Sequence, residues 1–409
     1  MNILFDFITL SLKTGAGEYH RRVFFEMISH ITQKNLHERN VYVLYDSQKG
    51  IAYSDMQEEC LTKLYNVSFL DVSDNRISEI VSSFKIDKFF IACAQYLQSY
   101  ETLMDIKCEV ICVVHDLLYQ ELTSNHIYGY MHLLQSNFDS AKKSKNSIVE
   151  KLKFKRYAYK FGLWFYKNIN YPIHKKEVGD FVNIISLVKN NPKSTIITVS
   201  ESTKYSLMYN YDIPSEKVEV LYSPERLYSK EKKEIENSVL KKLIQSNQKY
   251  FLFVSANRDT KNPQKTIDAF RRYSHYCPNI YLLALNHKGD NNSNVIGVDY
   301  LNDSDLLHAY KHCYALIYPS FFEGFGYPPI EAMHYSKPVI ASNTTSIPEV
   351  LGDAPIYFSP FYISNIFKGL MELNDKNYDS FCLKSRLQYL KVQERQDKDL
   401  NKLIDMILL

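Results

Sequence analysis

Strand-length apolar runs alternate with helix-length stretches along this chain, and the alternation restarts once. The first series is Ile3–Ile8, Val41–Tyr45, Val67–Leu70, Phe89–Ala92, Val110–Val114 and Ile196–Val199. The second is Phe251–Ser255, Ile280–Leu285, Val295–Val298, Ala315–Tyr318 and Val339–Ala341. Short apolar runs separated by enough chain for a helix are what a parallel sheet buried on both faces requires. A polar Lys/Glu/Asn/Gln-rich stretch from Ser229 to Lys249 separates the two series. The 409 residues also exceed one ordinary core. The pattern predicts an α/β chain of two Rossmann-like parallel-sheet domains, residues 1–228 and 229–380, facing each other across a central cleft. A closing helical segment, 381–409, is placed to pack back on the first domain.

Composition removes several classes. Hydrophobic residues are 45% and charged residues 23%, a globular balance, and a formal charge of +3 does not call for nucleic acid. The seven cysteines are odd in number and form no CxxC pair, which suits a reduced compartment. Met1–Leu10 carries Asp6 inside a short apolar run and lacks a basic leader. It reads as a first strand rather than a signal peptide. No run reaches the roughly 18 apolar residues that span a bilayer. A cytoplasmic protein is expected.

The densest chemistry lies in Tyr318-Pro-Ser-Phe-Phe-Glu323-Gly324-Phe325-Gly326-Tyr-Pro328-Pro329-Ile-Glu331-Ala-Met333. A strand ends at Tyr318, a glycine loop follows, and Pro329 suits the first turn of a helix, where its missing N–H costs nothing. Pro328, preceding a proline, is expected at or before the cap. Free amides and the positive end of the helix dipole meet there, a place for a phosphate group. Gly324 and Gly326 let the backbone approach a ligand. Glu323 and Glu331 bracket this loop, eight positions apart. Carboxylates beside a phosphate suit vicinal hydroxyls, from which they accept charge-assisted hydrogen bonds. The structural alternative is that Glu331 complements the helix dipole and Glu323 is solvated.

The Glu-x7-Glu element in PSFFEGFGYPPIEAM, with KPVIASNTTSIPEVLGDAPIYF after it, resembles the signature of GT4 retaining glycosyltransferases of the GT-B fold. The resemblance extends to Phe251-Leu-Phe-Val-Ser-Ala-Asn-Arg258-Asp-Thr-Lys261-Asn262 and to Thr198-Val-Ser-Glu-Ser-Thr-Lys204, and more loosely to Gly15-Ala-Gly17. It implies a hexosyltransferase that moves a hexose-type sugar from a nucleotide-diphosphate sugar to a glycan or lipid-linked glycan. Surface-polysaccharide biosynthesis is the setting it implies, with no cofactor and no metal ion. Glu331 would then bind the donor ribose and Glu323 the donor-sugar hydroxyls. The amides of Gly324, Phe325 and Gly326 would contact sugar and diphosphate. Lys261, with Arg258, would neutralise the diphosphate, although the family spaces this pair more widely than three positions. The competing reading is a catalytically inactive GT-B subunit acting as a binding partner.

In the first series, Val113-Val-His115-Asp116 places a His-Asp pair at the end of an apolar strand. Strand ends are where cleft chemistry sits. The resemblance sets such a His against the donor sugar across the cleft, making His115, Glu323 and Lys261 the catalytic candidates. Asp116 as a helix cap is the alternative. Gly15-Ala-Gly17 opens a helix at about Glu18 and resembles a loop approaching donor phosphates or acceptor. Asp303-Ser304-Asp305 has the form of a DxD metal site, but Asp303 or Ser304 suits the N-cap of the helical pattern that follows.

From Ala141 to Lys176, eleven Lys/Arg residues stand against one acid, Glu150, interleaved with aromatics that include Trp164. This composition fits a peripheral membrane contact at the inner face of the membrane. It also fits an amphipathic helix whose aromatics pack on the sheet while its lysines are solvated, and both readings stay open.

Overall fold

The computed structural model describes residues 1–8, 15–46, 66–72, 77–94, 106–118, 121, 184–227, 234–289 and 294–409. The basic aromatic segment 141–176 lies outside the described residues. Two wholly parallel sheets organise the chain, as the two apolar series require.

The first sheet holds β1 (Asn2–Asp6), β2 (Asn40–Tyr45), β3 (Val67–Asp71), β4 (Lys88–Ile91), β5 (Glu109–Val114), β6 (Thr195–Thr198) and β7 (Val218–Val220). Its order is β3-β2-β1-β4-β5-β6-β7. The second sheet holds β8 (Lys249–Phe253), β9 (Ile280–Leu285), β10 (Val295–Val298), β11 (Ala315–Tyr318), β12 (Val339–Ser342) and β13 (Ile356–Phe358). Its order is β10-β9-β8-β11-β12-β13. In both, the first strand of the series lies inside the sheet and the chain winds outward from it, the doubly wound arrangement that opens a crevice at the strands' carboxyl ends. Central strands such as β5 (EVICVV) are buried nearly throughout, so they read as continuous apolar runs. The three-residue edge strands β7 and β13 have no such run and escape the sequence pattern.

Ten helices are bounded among the described residues: α1 (Gly15–Gln33), α2 (Ile77–Ser83), α3 (Glu201–Tyr211), α4 (Ser238–Gln245), α5 (Pro263–Ser274), α6 (Asp303–His312), α7 (Tyr327–His334), α8 (Ile347–Leu351), α9 (Ile363–Glu372) and α10 (Tyr378–Leu408). The last is 31 residues long and touches both halves. Near its start Tyr378 stacks on Tyr314, with ring centroids 4.8 Å apart. Further along, the Asp399 carboxylate accepts from the Tyr222 amide at 2.9 Å. At its end Lys34 pairs with Asp405 at 2.9 Å, and the Lys88 ammonium donates to the Met406 carbonyl at 2.6 Å.

A second tie crosses between the halves. Ser200 caps α3, accepting from the Thr203 amide at 3.2 Å. The Glu349 carboxylate, from α8 of the other half, accepts from the Glu201 and Ser202 amides at 2.8 and 3.1 Å. An anion on orphan amides at a helix N-terminus is favourable. Burial nonetheless raises the Glu349 carboxyl above its ordinary range.

Candidate functional site

The carboxyl ends of the two sheets face one another across a cleft of about 450 Å³. That is within the ~300–1,000 Å³ usual for small-molecule sites. Gly15, His115, Arg258, Lys261, Glu323, Gly324, Phe325, Gly326 and Glu331 all line it, together with Asp116. Nine of the ten site residues expected from sequence therefore come together. Gly17 does not line the cleft and is buried in the first turn of α1. The Gly15-Ala-Gly17 element is not a loop before a helix, because α1 begins at Gly15. Amides of a first helical turn have no intrahelical partner, so glycines are tolerated there.

The second sheet supplies most of the polar wall. Lys261 sits in a short turn after β8 and is nine-tenths buried. Its ammonium pairs with the Glu323 carboxylate and donates to the Tyr318 hydroxyl at 3.2 Å. Burial, reinforced by the Glu323 charge, holds the Tyr318 hydroxyl protonated far above its ordinary range. Arg258 lines the same cleft from an exposed position at the start of the turn.

Between Tyr318 and α7 the chain makes the glycine loop. The Glu323 amide donates to the Thr345 hydroxyl at 3.0 Å, and the Glu323 carbonyl accepts from Ser346 at 2.9 Å. Gly326 is the cap of α7 at φ 94°, a left-handed conformation that favours glycine. The helix starts earlier than its prolines suggest, at Tyr327, with Pro328 and Pro329 both inside the first turn. The first-turn amides bond nothing within the helix, so two prolines remove no hydrogen bond there. Glu331 consequently falls in the second turn, still 9% exposed and in the cleft wall.

The first sheet contributes His115 at the end of β5. Its Nε2 lies 2.9 Å from the Ala92 carbonyl oxygen, and its ring meets Tyr19 edge-on at 4.9 Å. A carbonyl only accepts, so Nε2 carries the proton and Nδ1 is left as an acceptor. Burial pulls the His115 pKa down to about 4, and the ring is neutral at physiological pH. Asp116 turns back on its own chain and accepts from the Leu118 amide at 3.2 Å, and burial raises its carboxyl above the ordinary range.

The two halves touch at Gly324. A Cβ built there would lie 1.8 Å from the His115 carbonyl oxygen, so no larger residue fits this apposition. A Cβ on Gly15 would sit 3.3 Å from the Tyr327 ring, a second close approach across the cleft.

Asp303 and Asp305 are both held by protein groups. Asn302, not Asp303 or Ser304, caps α6, accepting from the Asp305 amide at 2.8 Å. Asp305 accepts from the Glu236 and Asn237 amides at 3.0 and 2.8 Å. Asp303 pairs with Arg226 at 3.4 Å. Arg226 is a charged cleft residue that sequence reasoning missed. It stands in a connection without periodicity or motif, and no local signal marks it.

Residues 234–371 match the family model described as glycosyl transferases group 1. The O-antigen chain mannosyltransferase RfbU of Salmonella typhimurium is 32% identical over 182 residues, covering 40% of this chain and 46% of that one. O-antigen chain mannosyltransferase B of Escherichia coli is 49% identical over 61 residues, 15% of this chain and 16% of that one. These matches span less than half the length of either relative. Among solved structures, Anabaena Alr3699/HepE in complex with UDP superposes with a TM-score of 0.61 at 13% identity, covering 99% of each chain. That likeness is one of fold. Residues 234–371 thus carry the pattern of a glycosyl transferases group 1 (GT4-type) domain, within a chain of the two-sheet GT-B fold.

Proposed function

We propose that this protein transfers a mannosyl residue from a nucleotide-diphosphate sugar to a glycan or lipid-linked glycan acceptor during surface-polysaccharide assembly. The single observation that carries the reading is the convergence of Lys261, Glu323, Glu331 and His115 on one cleft, around the glycine loop at the start of α7. The mannosyl assignment is drawn from the names of the relatives.

In this reading the ribose hydroxyls meet Glu331 and the donor sugar lies between Glu323 and His115. The diphosphate reaches Lys261 and the amides of Gly324, Phe325 and Gly326 in the loop before α7. In the structure Lys261 is paired to Glu323. Donor binding exchanges that pair for two others, phosphate on the ammonium and sugar hydroxyls on the carboxylate. As the bond between the anomeric carbon and the phosphate oxygen breaks, negative charge grows on the diphosphate. Fixed donors in a water-poor cleft stabilise that charge without reorganising. The acceptor hydroxyl oxygen bonds to the anomeric carbon on the face the diphosphate leaves, and its proton passes to the departing phosphate oxygen. Configuration is retained. Neutral His115 accepts a hydrogen bond at Nδ1 from a donor-sugar hydroxyl and transfers no proton in the step. No metal ion is needed in this scheme, because Lys261 supplies the counter-charge.

No described helix is long and apolar enough to cross a membrane. A lipid-linked acceptor would reach the cleft from a membrane surface, and the segment 141–176 is proposed for that contact.

The test is a thermal-shift series with GDP, UDP, ADP, CMP and dTDP in EDTA, followed by transfer assays with the matching sugar nucleotide. At one hundred times its dissociation constant the right nucleotide adds about 2.7 kcal/mol of stability. A shift abolished by Glu331→Ala, with transfer of mannose and retention seen by NMR of the product, supports the reading. Binding without transfer to any acceptor would return the idle-subunit alternative.

A further inference from the structure

Arg226 stands on the connection between β7 and β8. It borders the cleft and also a second cavity of about 180 Å³ on the far side of Glu331. Its guanidinium is 3.4 Å from Asp303 Oδ1, 3.9 Å from Glu331 Oε1 and 4.0 Å from Glu18 Oε1. Carboxylates from three helices, α1 of the first half and α6 and α7 of the second, are thus gathered on one cation.

The setting makes that cation consequential. Glu18 is 4% exposed, and burial raises its carboxyl above the ordinary range despite Arg226 and Arg21 nearby. Arg21 meets Glu18 at 3.4 Å from the same helix. Clustered carboxylates in a buried wall repel one another and lose hydration unless a counter-charge is supplied. Glu331 Oε1 accepts no hydrogen bond from a described group. At 3.9 Å the guanidinium is beyond hydrogen-bond reach. It therefore provides charge while leaving the lone pairs of Glu331 for a ligand.

We propose that Arg226 is the positioning residue of the donor site: it holds the Glu331 carboxylate in the cleft wall and pins α1 against α7 before nucleotide arrives. The proposal rests on Glu331 as the ribose ligand. Arg226 acts through Glu331 and does not touch the reacting atoms.

The test is a double-mutant cycle on the full chain, read by nucleotide affinity and by donor KM and kcat. The probe is whichever nucleoside diphosphate shifts the wild type. Arg226→Gln weakens binding on the order of 10- to 100-fold, raising donor KM more than it lowers kcat. Arg226→Lys, which keeps the charge, stays within about fivefold of wild type. In a Glu331→Gln background, Arg226→Gln adds less than about threefold, because the partner it positions is gone. Additive losses overturn the proposal, as does a lysine variant as weak as the glutamine variant. If Glu331→Gln weakens binding while Arg226→Gln does not, this proposal alone falls. If Glu331→Gln binds normally, the donor-site reading falls with it. Melting temperatures are taken in parallel, and Arg226→Met replaces the glutamine variant should that one fail to fold.

Discussion

The two walls of the cleft are written in the sequence in opposite ways. On the second half, Glu323, Gly324, Gly326 and Glu331 fall within nine consecutive residues, one loop and one helix start. On the first half, Gly15, Cys93, His115, Val199 and Ser223 reach the same cleft from separate stretches of chain. A parallel sheet brings the ends of its strands together only after it has formed. The compact wall can therefore be recognised as a motif, whereas the dispersed wall becomes a site only by folding. The second half carries the fixed charge, Lys261 and Arg258 from the turn after β8 joining Glu323 and Glu331, and the dispersed wall carries shape and a neutral imidazole.

The largest test of this division is Lys261→Ala. Removing the buried ammonium that pairs with Glu323 of the compact wall should cut turnover by roughly 10²–10³-fold, since preorganised charge on a leaving group has that weight. Near-normal turnover would strip Lys261 of its role and leave the second wall without a proven electrostatic function.

Next comes Gly324→Ala, which attacks the junction rather than either wall. The added Cβ would fall 1.8 Å from the His115 carbonyl oxygen, so the halves must part. A misplacement of about 1 Å costs on the order of 10²-fold in rate. The donor contacts of the second half remain, so nucleotide affinity should fall much less than kcat. Equal losses in both would show that the first wall contributes to ground-state binding as well.

The smallest expected effect concerns the first wall alone. Burial holds His115 near pKa 4 and His20 near 3, against 6.5 for an ordinary histidine. Above pH 6.5 both are neutral whether folded or unfolded, and they cost nothing. As pH falls from 6.5 toward 4 the unfolded chain takes up protons that the folded rings refuse, so stability is lost. The raised carboxyls of Asp116, Glu18 and Glu349 act with the opposite sign. The comparison is therefore between wild type and His115→Phe, in denaturant midpoints across that window. His115→Phe should flatten the acid side of the profile. An unchanged slope would place the titration elsewhere.

Eleven of the thirteen described strands announce themselves as apolar runs, because a strand covered on both faces must be apolar along its length. The glycine loop and its two glutamates are equally local, since a helix N-terminus that takes an anion needs its glycine, proline and carboxylate at set distances along the chain. The edge strands β7 and β13 stayed hidden, being three residues each with no run to detect. The early start of α7 depended on how Gly326 turns. What only tertiary structure decided are relations between distant residues: the His115 carbonyl against Gly324, Glu349 on the amides of α3, and Arg226 among Glu18, Asp303 and Glu331. Each depends on groups that no periodicity links, so the physics that fixes them, steric contact and charge in a buried wall, exists only once both sheets are in place.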